Sequence, residues 1–148
     1  MINLRSTSFS PDQKIPEKHS GDGGDLSPPL TWNGGPPDTK EYALICDDPD
    51  APMEEPFVHW VLYNLPASQN SIPEGSNGGG TEGKNTAGKN KYMGPKPPPG
   101  HGVHHYHFKL YALDTKLDLG PGATKNELLK AIEGHVLEEG ELIGTYER

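Results

Sequence analysis

The chain has 148 residues, with 13 Lys and Arg against 21 Asp and Glu, for a formal net charge of −8. That length suits a single domain spanning residues 1–148, and the net acidity argues against nucleic acid or an anionic membrane surface as a partner. No stretch approaches the ~20 apolar residues of a membrane span, and 19 glycines with 16 prolines point to short strands joined by turns rather than to a helical bundle.

The N-terminal segment Met1–Thr7 lacks an apolar signal-peptide core, so a cytoplasmic protein is expected. The first clear strand is Tyr42-Ala43-Leu44-Ile45-Cys46, which stops at Asp47-Asp48-Pro49-Asp50-Ala51-Pro52, where three carboxylates and two prolines close it. Side chains alternate along a strand, so Asp48 continues the face of Leu44 and Cys46. Cys46 is the sole cysteine, and its apolar surroundings predict an inert core thiol. Next, Phe57–Leu65 is apolar on both faces, the pattern of a central strand covered on each side. His59 is the one ionisable residue inside it, and a buried histidine either finds a partner or stays neutral.

The glycine-rich stretch that follows contains Gly78-Gly79-Gly80-Thr81-Glu82-Gly83-Lys84-Asn85, which fits phosphate-loop spacing except at its last position. Asn85 stands where a Ser or Thr would hold Mg²⁺, and neither a strand nor a helix is predicted around it. A mobile surface loop is the expectation.

The strongest functional clue is the run Gly94–Phe108, because four of the seven histidines (His101, His104, His105 and His107) fall within it behind a Pro/Gly-rich segment. If 103–113 is extended, His104, Tyr106, Phe108, Leu110 and Ala112 share one face, and His105, His107, Lys109, Tyr111 and Leu113 the other. The first face runs from polar to apolar, as a strand does when it passes from a pocket into a core. His104 and Tyr106 are therefore the predicted pocket pair. The amides of Gly94, Gly100 and Gly102, held by their prolines, form a candidate donor set. His105 and His107, with His101, could ligate a metal, but no fixed carboxylate or thiolate is evident beside them, so no metal or cofactor is expected.

Toward the C-terminus, Thr124-Lys125-Asn126-Glu127 has the pattern of a capping box. Leu128, Ala131, Ile132, His135 and Val136 continue it as an apolar stripe at helical spacing, Gly140 suits the stop, and Glu141–Tyr146 can return as a short strand. His135 is expected to pack rather than to do chemistry.

Five blocks together resemble the phosphatidylethanolamine-binding protein family, also called Raf kinase inhibitor-like, in its short bacterial and archaeal branch. They are Ser27-Pro28-Pro29-Leu30-Thr31-Trp32, Asp47–Pro52, Val58-His59-Trp60, Gly94-Pro95-Lys96-Pro97-Pro98 and Gly100–Tyr106. The resemblance implies a mainly β, sandwich-like fold with a large antiparallel sheet, a smaller sheet and a C-terminal helix. It also implies a small anion-binding pocket formed by Asp48, Asp50, His59, Pro98, His104 and Tyr106. His105 stands where relatives often carry Arg. A possible protein target, a kinase or a serine protease, is implied by the resemblance alone.

The expected ligand is a small anion or phosphorylated group, such as phosphate or a phosphoethanolamine head group. Asp48 and Asp50 would hold nearby imidazoles charged, so that affinity weakens as pH rises through a raised histidine pKa. The alternative is a hydrolase or other enzyme using Asp48, His59, His104 and Tyr106 for acid/base chemistry. No Ser or Thr nucleophile lies near the pocket pair, so no catalytic residue is assigned.

Overall fold

A run of eight buried residues, Glu41–Asp48 (β3), can exist only where a strand is flanked on both edges and covered on both faces. The computed structural model, which describes residues 1–148, puts β3 in that position. The strands preceding it are β1 (Asn3–Arg5) and β2 (Leu30–Asn33); those following are β4 (Phe57–Pro66), β5 (Ser71–Ile72), β6 (Thr81–Glu82), β7 (His104–Leu113) and β8 (Val136–Tyr146). The large sheet has the order β6-β4-β3-β7-β8 and the small one β1-β2-β5, with every pairing antiparallel. This is the mainly β, two-sheet fold that the blocks implied.

Alternation on β3 feeds two cores. Leu44 and Cys46 pack with Leu4, Leu30, Trp32, Trp60, Leu62, Phe108 and Leu110 between the sheets. Ala43 and Ile45 pack with Val61, Tyr63, Tyr111, Leu113, Leu128 and Ile132 beneath the helix. Cys46 is buried, and desolvation pushes its thiol well above the ordinary value, as befits an inert core thiol.

Two irregularities in the β3–β4 pairing matter for the site. Tyr42 lies opposite Leu65 and Leu44 opposite Leu62, so one residue of β4 is extra there; Asn64, with φ 57, takes up the turn. Farther along, Cys46 is opposite Trp60 but Asp47 is opposite Val58, leaving His59 as an unpaired bulge residue.

The helix α1 spans Lys125–Ile132, with the capping box formed: the Glu127 amide donates to Thr124 Oγ1 at 3.1 Å and the Thr124 amide to Glu127 Oε1 at 3.0 Å. It ends earlier than the apolar stripe predicts. Gly134, at φ 80, reverses the chain, and Val136 already pairs with Leu113 as β8 begins. The long ladder of β8 on β7 outweighs the helical spacing of Val136. His135 is consequently not packed in a core: it is exposed, with Nδ1 2.8 Å from Asp114 Oδ1. The glycine-rich loop also differs from expectation. Thr81–Glu82 pairs with β4, Asn85 is buried, and Glu82 accepts the Trp60 indole N–H at 3.1 Å, so this segment is tied to the large sheet.

Candidate functional site

The site forms where β3, β4 and β7 run out of core at one end of the large sheet. β3 and β7 are antiparallel with Cys46 opposite Phe108 and Asp47 opposite His107, which brings Asp48 beside the start of β7. Asp48 then turns the chain: its Oδ1 accepts the Asp50 amide at 2.8 Å across Pro49, an Asx turn. Its Oδ2 lies 2.6 Å from His104 Nδ1, and both side chains are nearly sealed, at 4% and 2% exposure. The other His104 nitrogen, Nε2, is 2.6 Å from Nδ1 of the exposed His101. Asp48, His104 and His101 thus make a continuous chain from the buried sheet end to solvent.

The bulge at His59 brings its ring against Tyr106, edge to face with centroids 5.1 Å apart. His59 Nδ1 donates to the Met93 carbonyl at 2.6 Å. A cavity of about 310 Å³ opens between these groups. Asp48, His59, His104 and Tyr106 line it, and Ala51, Pro52, Met53, Phe57, Met93, Pro97 and Pro98 make most of its wall. Such an apolar cleft with a few convergent polar groups is the usual form of a small-ligand site. Gly94 also lines it, as does Lys96, which has no carboxylate partner.

The structure therefore brings together Asp48, His59, Gly94, Pro98, His104 and Tyr106, and leaves Asp50, Gly100 and Gly102 outside the lining. Asp50 Oδ2 instead accepts the His105 amide at 2.8 Å and faces His105 Nδ1 at 2.7 Å, on the opposite face of β7. The proposed set of free amides is not formed: the Gly94 amide donates to Asp25 Oδ1 at 2.8 Å and the Gly100 amide to the Arg148 carbonyl at 3.0 Å. His107, like His105, is matched to a carboxylate, Glu141, at 3.2 Å. No three His, Cys, Asp or Glu side chains converge in a way that would hold a metal ion. Residue reading missed Lys96, although it lies inside the Gly94–Gly100 run, because nothing local says which way its side chain points. It also missed His101 as the partner of His104, since the Gly102 turn (φ 103) folds it back.

Of the histidines that could carry the expected charge, His59 is shifted toward its neutral form. Burial dominates and holds it below the ordinary histidine value, against the opposing effects of the Met93 carbonyl and Asp48. Buried His19, whose Nδ1 donates to the Leu26 carbonyl at 2.7 Å, is shifted the same way, again chiefly by burial. Burial raises the Tyr106 hydroxyl far above its ordinary value, with the Asp48 charge adding to the effect, so it keeps its proton. Depressed histidines make the unfolded chain the better proton binder. Their contribution to stability is full above the unfolded value near pH 6.5 and is lost as pH falls from there toward the folded values, at up to about 1.4 kcal/mol per pH unit for His59. Thermal unfolding should accordingly show a lower Tm at pH 5.5 than at pH 7.5. A flat profile over that interval would contradict a neutral, buried His59.

The model of the family described as phosphatidylethanolamine-binding protein matches residues 5–147. The chain belongs to that family. A UPF0098 protein of Methanothermobacter thermautotrophicus is 46% identical over 153 residues, with 99% of each chain covered. Among solved structures, a phosphatidylethanolamine-binding protein homologue from Chlamydia trachomatis superposes with a TM-score of 0.94 at 40% identity, covering 99% of this chain and 97% of its own. Escherichia coli YbcL superposes with a TM-score of 0.92 at 29% identity, covering 99% and 98%. No helix is long and apolar enough to cross a membrane.

Proposed function

We propose that the protein binds a small anion or phosphorylated group in the cavity at the end of β3, β4 and β7, and that it acts by recognition rather than catalysis. The observation that carries this reading is the lining itself. Lys96, a cation without a carboxylate partner, and the protonated Tyr106 hydroxyl stand with Asp48, His59 and His104 in a wall made mostly of apolar side chains, which lowers the dielectric around a bound charge. No Ser, Thr or Cys lines the cavity, which leaves no hydroxyl or thiol nucleophile of the common kinds beside the imidazoles. Of the two roles that the family resemblance implies, ligand binding and regulation of a kinase or protease, the cavity supports the first.

The test is a titration of the protein with inorganic phosphate, followed by NMR of the histidine rings. Signals of His59 and His104 should move in a saturable way while those of His135, on the far side of the fold, stay put. Unchanged His59 and His104 signals at saturating phosphate would reject the reading.

A further inference from the structure

An anion in this cavity, as in the anion-binding reading above on which this inference rests, is repelled by the Asp48 carboxylate unless the wall supplies a compensating charge. Uptake of a proton on binding would supply it, and two imidazoles, those of His59 and His104, line the cavity. His59 is the poorer receiver, because burial holds its ring toward the neutral form. His104 has no unpaired nitrogen: its Nδ1 lies 2.6 Å from Asp48 Oδ2 and its Nε2 2.6 Å from His101 Nδ1. A proton therefore reaches His104 by way of His101.

The protons in these two short gaps can be counted. The carboxylate accepts, so His104 Nδ1 donates, and Nε2 of the neutral ring is left to accept the His101 Nδ1 proton. His101 Nε2 is then a lone pair with no protein partner, on a ring exposed to solvent. A proton bound there lets the Nδ1 proton cross to His104 Nε2, with both hydrogen bonds kept and the positive charge carried from solvent to the wall. The surrounding groups do not offset this exchange. Tyr106, and Tyr146 opposite His104 on β8, keep their protons, both chiefly through burial. Asp50 is matched to His105, and Asp22 to Arg148, whose carbonyl accepts the Gly100 amide beside His101. Lys96 in the wall is a cation already.

We propose that anion binding in this cavity is coupled to the uptake of a proton from solvent through His101. Nε2 of that ring takes the proton, its Nδ1 proton passes to His104 Nε2, and an imidazolium forms at the wall beside Asp48. His101 does not itself line the cavity, yet it belongs to the binding machinery because it is the solvent end of this chain.

Calorimetric titration with sodium sulfate at constant ionic strength, in two non-phosphate buffers of different ionisation enthalpy, counts the protons. Sulfate is fully ionised near neutrality, so a proton taken up on binding is the protein's. The wild type should take up a fraction of a proton per sulfate at neutral pH. Its affinity should fall from pH 6 to pH 8, by up to about tenfold per pH unit, the limit for one linked proton. In His101→Phe, an aromatic edge that carries no proton covers His104 Nε2, so the uptake should vanish and the affinity lose its pH dependence. Nitrogen NMR of the histidine rings in the wild type locates the proton: sulfate should move His104 Nε2 toward the position of a protonated nitrogen while His59 Nε2 stays at that of an unprotonated one. No uptake by the wild type, undiminished uptake in folded His101→Phe, or protonation of His59 in place of His104 would each overturn the coupling while leaving anion binding intact. If His101→Phe does not fold, the wild-type spectra decide. Failure of sulfate to bind between pH 6 and pH 8 would overturn the coupling as well, and the phosphate titration above then decides whether anion binding stands.

Discussion

Replacing Asp48 by Ala should destabilise the protein by about 3 kcal/mol, the scale for breaking a buried pair by removing one partner. The carboxylate accepts from His104 Nδ1 at 2.6 Å, where both side chains are nearly sealed from water, and from the Asp50 amide at 2.8 Å. The isosteric Asp48→Asn keeps a side-chain oxygen for one of these donors and should cost less. In the double variant Asp48→Ala/His104→Ala, the orphaned imidazole is gone as well, so the loss should be smaller than the sum of the single losses. Urea unfolding of the wild type and the three variants of this cycle measures the coupling. A cost below 0.5 kcal/mol for Asp48→Ala, or strict additivity with His104→Ala, would mean that the pair does not organise the site.

Gly94→Ala should be comparably damaging, about 3 kcal/mol, at the upper end of ordinary overpacking. An added Cβ would lie 2.3 Å from the His19 carbonyl oxygen and 2.7 and 2.8 Å from backbone atoms of Ser20. None of these is the tip of a flexible side chain that could swing aside. The two segments are laced together, with the Gly94 amide on Asp25 and the Gly21 amide donating to the Pro95 carbonyl at 2.8 Å. The contact can be relieved only by moving the 93–98 segment, which carries Met93, Lys96, Pro97 and Pro98 of the cavity wall. Loss of stability together with loss of phosphate-induced shifts is the expected result; a variant with wild-type Tm would show that the segments are not in close contact.

Both predictions concern residues that could be singled out in the sequence, but for different reasons from those that the fold supplies. The sequence offers Gly94 as a free amide at a proline-braced turn, whereas in the fold its amide is spent on Asp25 and its lack of a side chain is what counts. Asp48, His104 and Tyr106 line one cavity, as the alternation of strand faces predicts. Period-two alternation is a local property, so Leu44, Cys46 and Asp48 on β3, and His104, Tyr106 and Phe108 on β7, share faces whatever the rest of the chain does.

The amino-acid sequence by itself determined the β-rich class, the capping box that starts α1, the buried Cys46 and the faces of β3 and β7, because each follows from the geometry of a few consecutive residues. Tertiary structure decided the remainder. Regular alternation would put His59 on the face of Val61 and Tyr63, under the helix; the bulge opposite Cys46 and Asp47 moves it to the cavity, and a bulge is set by how two distant strands match. The early end of α1 reflects the competing ladder with β7, Asp50 turns outward to meet His105, and the tautomer of His59 is fixed by a carbonyl 34 residues away. In each case the deciding partner lies far along the chain, so the energy that fixes the local choice exists only once the strands have paired.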